Sequence, residues 1–393
     1  MSQPPYTSSA WYRPMRGRHP GEEHRTASPL ELFFDLCFVA AIAQASSAFE
    51  HEIAAGRPGR GLLGYVLVFF AIWWAWMNFT WFASAYDTDD VPYRVLTLVQ
   101  ITGALVMAAG TSEALVHGDF AIITWGYLVM RLALVSQWLR AAYTDRERRR
   151  SALRYAFGIH VLEIGWLARL VLPHDGGVAS FAVLAIGELA VPVWAERAEG
   201  TTWHPTHIAE RYGLFTLIVL GESVTAAGIA VGTALDTHRA PRSVLTIALG
   251  GMLTVFALWW LYFAQDAPRR LKTQKTAMLW GYGHYVVFAA AAAVGAGLVV
   301  NVAHVTGHHG LTDREAAATY TVPVALFITS VWLLHRRAAK ASTNVDVLAP
   351  TAALAILAAT FTTFAVPCTG VIASLLIGAH LVLARRVPRP FRL

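Results

Sequence analysis

LLGYVLVFFAIWWAWMNFTWFASA, residues 62–85, runs for 24 positions without one charged side chain. As a helix, a stretch of that length and composition crosses the hydrocarbon core of a bilayer, which takes about 20 apolar residues. Working outward, further apolar runs occupy 30–49, 95–114, 120–142, 153–172, 178–195, 208–231, 243–265, 278–301, 318–334, 346–366 and 369–385. Together they predict twelve spans joined by short connections. The whole 393-residue composition agrees: 56% hydrophobic, 12% aromatic, only 14% charged, with mean hydropathy +0.47. One soluble core cannot hide so much apolar surface, because interiors stop growing near roughly 250–300 residues. Soluble enzymes, disordered scaffolds and disulfide frameworks are excluded. The two cysteines, Cys37 and Cys368, lie in or beside apolar runs and build no framework. The expected fold is an all-α polytopic membrane protein.

The net charge is +6. In a soluble chain that would suggest a nucleic-acid partner; here its distribution argues otherwise. With the N-terminus in the cytoplasm and alternating spans, 24 of the 31 Lys and Arg residues fall on cytoplasmic segments. Arg57, Arg60, Arg239, Arg242 and Arg314 face outward, and Arg131 and Arg169 lie within spans. That asymmetry is the positive-inside pattern for twelve spans with both termini cytoplasmic. The basic run at 146–150 therefore anchors topology, and no nucleic acid is expected. The polar leader, residues 1–29, is too long and its basic residues are wrongly placed for a secretory signal, so the first span should stay attached.

The spans repeat. Glu31 opens the first and Glu210 the seventh, 179 residues later, and WFASAYD ending at Asp87 returns as WLYFAQD ending at Asp266, again 179 later. FAIWW at 70–74 pairs with FALWW at 256–260 in a register seven residues longer. The expected organisation is a polar segment 1–29, six-helix halves 30–196 and 207–385, and a basic tail 386–393. An even number of spans gives both halves one orientation, an arrangement of transporters whose substrate path lies between the halves.

Ionisable groups inside spans cost a few kcal/mol each and mark pathways or buried pairs. Glu31 and Asp35, four apart, share a helix face. Two adjacent carboxylates in a low dielectric suit proton binding or capture of a cation, unless an arginine or a helix N-terminus neutralises them. His207 and Glu210 share a face at the start of the seventh span, as do Arg211 and Glu222. Glu222, within GES at 221–223, sits deep in an apolar run. Arg131, His160, Glu163, Arg169 and Glu188 form a further set expected to pair across helices. Asp87, Asp89 and Asp90, with Arg94, put acids in a cytoplasmic loop; oxygen-rich clusters suit hard divalent cations, although the spacing is not that of an EF-hand. A salt-bridge clamp to Arg94 or to neighbouring arginines is the alternative. His304, His308 and His309 read as solvated. No metalloprotease HExxH and no P-loop occur.

SPLELFFDLCFVAAIAQ at 28–44, AYDTDDVPYR at 85–94 and HIAERYGLFTLIVLGESV at 207–224 resemble, in order and separation, the bacterial low temperature requirement A family. The resemblance extends over most of the chain from about residue 25. It implies a bacterial multi-pass membrane protein, with Glu31, Phe34, Asp35, Asp87, Asp89, Asp90, Arg94, Glu210, Arg211, Gly221 and Glu222 as motif residues. Cys37 departs from the larger apolar residue expected there. The family name carries no chemistry.

Four functions compete. The first is a cation- or proton-coupled transporter of a small solute, with Asp35 and Glu222 as ion sites. Glu31, Glu210 and Arg211 would form its cytoplasmic gate and the acidic loop a latch. The second is an ion channel, although no filter motif is recognisable. The third is a membrane-embedded enzyme with a divalent metal on His207, Glu210 and the Asp87–Asp90 cluster. The fourth is a receptor with Trp73, Trp74, Trp76 and Trp81 as a ligand wall, positions that packing and interface anchoring also explain. The reading leans away from an enzyme and predicts no cofactor. Its partners are the lipid bilayer and a small solute or ion, and its location the bacterial inner membrane.

Overall fold

The structure is a computed structural model that describes residues 11–18, 26–172, 177–236, 241–265, 267–268, 271, 273–307, 310–336 and 347–386. Among these residues the chain forms twelve α-helices and no strand. They are α1 Pro29–Ala54, α2 Pro58–Ala85, α3 Val91–His117, α4 Ala121–Thr144, α5 Arg149–Arg169, α6 Gly177–Glu196, α7 Pro205–Asp236, α8 Pro241–Phe263, α9 Gln274–Val305, α10 Asp313–Arg336, α11 Leu348–Ala359 and α12 Ala365–Arg386. Asp266, His308, His309 and the tail beyond Arg386 lie outside the described residues.

Local chemistry sets the helix ends. Proline opens α1, α2, α7 and α8, at the position where its missing N–H is no loss. Asp90 caps α3 by accepting the Tyr93 N–H, and Gly118 ends that helix in a left-handed conformation, φ 75°. A reciprocal Thr273–Thr276 capping box starts α9. Thr312 and Glu315 do the same for α10, each accepting the other's backbone N–H.

Ten of the helices are long and apolar enough to cross a membrane. Two of the twelve expected spans do not meet that measure. Helix α5 has the length, 21 residues, but carries Arg149, Arg150, Arg154, Glu163 and Arg169 and is too polar to count with the ten. The run at 346–366 is not one span: α11 stops at Ala359 after 12 residues, which at 1.5 Å per residue is about 18 Å. Beyond it the N–H groups of Thr360, Phe361 and Thr362 turn back onto the carbonyls three residues behind. The Thr362 hydroxyl also donates to the Ala359 carbonyl at 2.8 Å. Pro367, between the expected spans 346–366 and 369–385, occupies the first turn of α12, where proline is tolerated.

The chain divides into two compact units, Met1–Ala45 with Val66–Tyr212, and Ser46–Tyr65 with Gly213–Leu393. In unit 1, α3 packs on α4, α4 on α5 and α5 on α6; in unit 2, α9 packs on α10, α10 on α11, α11 on α12, and α12 on α8. Aromatic rings fill the core of unit 1: Phe34 lies 4.0 Å from Phe79, and Trp138 stacks on Tyr155 at 4.2 Å. Large apolar side chains such as Leu98, Trp125, Leu132, Val183 and Ile186 are exposed. In water such a surface would aggregate; in a bilayer it meets lipid.

The α3–α4 contact depends on two glycines. A Cβ at Gly126 would stand 2.6 Å from both the Gly103 carbonyl oxygen and the Met107 nitrogen, and one at Gly103 2.6 Å from the Gly126 carbonyl oxygen. Backbone meets backbone there, as small residues permit between membrane helices. Gly126→Ala should therefore cost about 1–3 kcal/mol through overpacking, seen as a lower thermal midpoint of the detergent-solubilised chain. Gly59→Ala, which meets nothing within 4 Å, should show no comparable loss.

Candidate functional site

The first turns of α1 and α7 build the site. Ser28 and Glu31 form a capping box: Glu31 Oε2 accepts the Ser28 N–H at 2.7 Å, and Ser28 Oγ accepts the Glu31 N–H at 3.3 Å. This fixes the Glu31 carboxylate over the helix start, where the partial positive charge of the backbone favours it. Helix α7 begins with the same spacing. Pro29, Glu31 and Asp35 on α1 correspond to Pro205, His207 and Arg211 on α7, so that two acids on one helix match two basic groups on the other.

These four side chains meet inside unit 1, all completely buried. The Arg211 guanidinium grips Asp35 as a fork, Nη2 to Oδ1 at 2.5 Å and Nε to Oδ2 at 3.0 Å. Its remaining nitrogen, Nη1, lies 3.0 Å from Glu31 Oε1, and His207 Nε2 lies 3.1 Å from the same oxygen. The Trp76 indole N–H donates to Asp35 Oδ1 at 2.7 Å, and Thr80 Oγ1 is 3.4 Å from Arg211 Nη2. Bidentate carboxylate–guanidinium pairing gives both strength and fixed direction. Glu210 is only part-buried and accepts the Ala27 N–H at 3.3 Å. Glu222 is not gathered with these groups. It is half-buried on α7 in unit 2 and makes no hydrogen bond or ion pair among the described residues.

A second buried pair lies deeper in unit 1. Arg131 Nη2 donates to Glu188 Oε2 at 2.6 Å and also contacts the Tyr127 hydroxyl. Trp74 and Trp166 donate their indole N–H groups to Glu188 at 2.9 and 3.1 Å. Both Glu163 oxygens are buried without a hydrogen-bond partner among the described residues. Arg169 instead bonds Ser180 at 3.1 Å and lies against the rings of Phe120 and Phe181, while His160 is exposed.

The acidic loop residues each take a separate partner. Asp87 faces Arg18 at 3.5 Å. Asp89, at φ 48°, pairs with Arg94 through two bonds of 2.7 and 2.8 Å. Asp90 accepts from the N–H groups of Arg13 and Tyr93, both at 2.9 Å, and from Arg140 at 2.7 Å. The segment 11–18 is bound to the same region: the Gly17 N–H and the Tyr86 hydroxyl reach Asp145 at 3.1 Å, and Thr144 Oγ1 donates to the Met15 carbonyl at 2.7 Å. Among the described residues no three His, Cys, Asp or Glu side chains are gathered as a metal site.

The sequence singles out the tryptophans of α2 as a ligand wall or as packing, and their role as hydrogen-bond donors is not read there. Trp74 and Trp76 are donors to buried carboxylates rather than plain apolar bulk. The available signal was an indole N–H in a span, which needs an acceptor once buried.

An all-helical chain with ten apolar spans and charged pairs sealed inside is a multi-pass membrane protein. The model of the bacterial low temperature requirement A protein family (LtrA) matches residues 26–384, and the chain belongs to that family. It is also similar to an uncharacterized protein of Rhizobium meliloti (strain 1021), with 27% identity over 343 residues, covering 80% of this chain and 79% of the relative. No solved structure matches.

Two outcomes follow from the geometry. Removing one partner of a buried ion pair leaves a stranded charge, whereas removing both does not. Asp35→Asn should therefore destabilise the solubilised chain by on the order of 3 kcal/mol, and Asp35→Asn with Arg211→Gln by less than the two single losses together. Denaturant midpoints measure the difference. At Asp90, burial raises the carboxyl pKa, but the Arg13 and Tyr93 N–H groups and the Arg140 guanidinium outweigh it and hold the pKa below the ordinary value. A depressed folded-state pKa stabilises above the ordinary carboxylate value, near 3.9, and is lost as pH falls through the folded value. The unfolding midpoint should thus fall steeply with acid below about pH 4, and less steeply in Asp90→Asn.

Proposed function

We propose that this protein is a cation- or proton-coupled transporter of a small solute in the bacterial inner membrane. In this reading it has both termini in the cytoplasm and two similar six-helix halves. The observation that carries the reading is the composition of the α1–α7 cluster. Among its four buried side chains, Glu31 and Asp35 are acids and Arg211 is permanently positive, so His207 decides whether the set is balanced. Histidine is the side chain whose charge changes most readily near neutral pH. A proton on His207, or a monovalent cation beside Glu31, supplies the missing positive charge. Ion occupancy can then alter how tightly α1 and α7 are held at their first turns.

The other roles follow from this centre. Glu222, without a partner among the described residues, is the second ion-binding carboxylate. Glu31, Glu210 and Arg211 gate the cytoplasmic end, and the loop of Asp87, Asp89, Asp90 and Arg94 latches it through its arginine partners. The repeat is supported by packing order, since third, fourth, fifth and sixth helices pack in sequence in both sets, α3 to α6 and α9 to α12.

Full-length protein in liposomes, loaded with a pH-sensitive dye and subjected to imposed pH or sodium gradients, tests the reading. Protein-dependent proton or sodium movement is expected, slowed at least tenfold by His207→Gln. Fluxes that His207→Gln, Asp35→Asn and Glu222→Gln all leave unchanged would overturn it, as would single-channel currents.

A further inference from the structure

Unit 2 contains a cavity of about 570 Å³ where α8, α10 and α12 begin and α9 ends. That volume is within the range of small-molecule sites. The turn after Ala359 stands at the cavity wall, with Thr362, Thr363 and Phe364 lining it.

The polar groups on its wall are of two kinds. Arg242 lines the cavity, and its guanidinium makes no hydrogen bond or ion pair among the described residues. At the start of α12, the N–H groups of Phe364, Ala365 and Val366 likewise have no acceptor among the described residues. The start of α10 differs, because the Thr312–Glu315 capping box already occupies it. An uncapped helix start beside a cation favours an anion. The second kind is fixed in place. His304 Nε2 is held 2.8 Å from Asp313 Oδ1, while its Nδ1 is buried with no partner among the described residues. Asn301, 8% exposed, spends its amide N–H bonds on the carbonyls of Gly297 and Ala316 at 2.7 and 2.8 Å, which leaves its own carbonyl oxygen as the free end. Between these groups the wall is apolar, with Ile247, Val305, Phe364 and Val366.

We infer that this cavity binds a small organic acid: a carboxylate held by Arg242 and the first N–H groups of α12, with an apolar body lying on Ile247, Val305 and Phe364. Inorganic phosphate satisfies the charge but leaves the apolar wall empty. Neutral apolar solutes satisfy the wall but leave Arg242 without a partner. A monocarboxylate satisfies both. The inference concerns equilibrium binding and does not depend on the transport reading.

Equilibrium dialysis of the full-length solubilised protein with radiolabelled hexanoate tests it. Saturable binding at one site is expected, competed by unlabelled hexanoate but at least tenfold less well by hexanamide or inorganic phosphate. Arg242→Gln should weaken binding at least tenfold with no change in the ligand-free thermal midpoint. Phe364→Asp supplies a side-chain carboxylate to the α12 start; it should raise that midpoint, because it caps the helix, and abolish hexanoate binding. Asp35→Asn, in unit 1, should bind hexanoate like the unmodified chain, which separates this site from the α1–α7 cluster. Non-saturable uptake, equal competition by hexanamide or phosphate, or undiminished binding by a folded Arg242→Gln protein would overturn the inference.

Discussion

The forked bond between Arg211 and Asp35 joins two helices whose contacting residues are 176 positions apart in the chain. Neither charge is tolerable alone at full burial, and each is acceptable only because the other is there. The pair therefore dictates more than its own geometry. It fixes α1 against α7 one turn past their starts, places Glu31 and His207 opposite each other at the third position of each helix, and requires a further donor, the Trp76 indole, to complete Asp35. Glu31 is the extra acid of this centre, and one of its oxygens lies within ion-pair distance of both Arg211 and His207.

Unit 1 uses the same solution twice. Arg131 and Glu188 repeat the arrangement of a buried guanidinium, a carboxylate and indole donors, with Trp74 and Trp166 in the place of Trp76. Helix α2 thus faces both centres, one through Trp74 and the other through Trp76. Two residues apart on a helix, these side chains diverge rather than share a face. The tryptophan density of this span is explained by two carboxylates needing neutral donors on either side, along with the stacking among its rings.

Much of the fold was legible because lipid imposes a length and a composition on every crossing. The expected spans begin and end close to the observed helices over α1 to α10. What misled at 346–366 was that apolar content does not report where a helix stops: the turn at Thr360–Thr362 arises from local carbonyl bonding, and Pro367 fits within a first turn as easily as at a break. At the site, the i,i+4 spacing of Glu31 and Asp35 was read from the sequence; that of His207 and Arg211 was not, because His207 was placed with Glu210 and Arg211 with Glu222. Which acid would meet which base was not legible either, because the expected repeat offset of 179 aligns Glu31 with Glu210, whereas the contacts follow an offset of 176. The loop acids were legible as charges, but their separation into three partnerships depends on Arg13, Arg18 and Arg140, which come from distant parts of the chain.

The strap formed by residues 11–18 also has a consequence for the order in which the protein is made. Its anchors, Asp90, Thr144 and Asp145, lie 77 to 129 residues downstream of the residues they bind. During synthesis these anchors follow the strap in two stages: Asp90 becomes available after α2, and Thr144 and Asp145 only at the end of α4. The strap's full set of bonds can close only once α2, α3 and α4 have brought Asp90, Thr144 and Asp145 together.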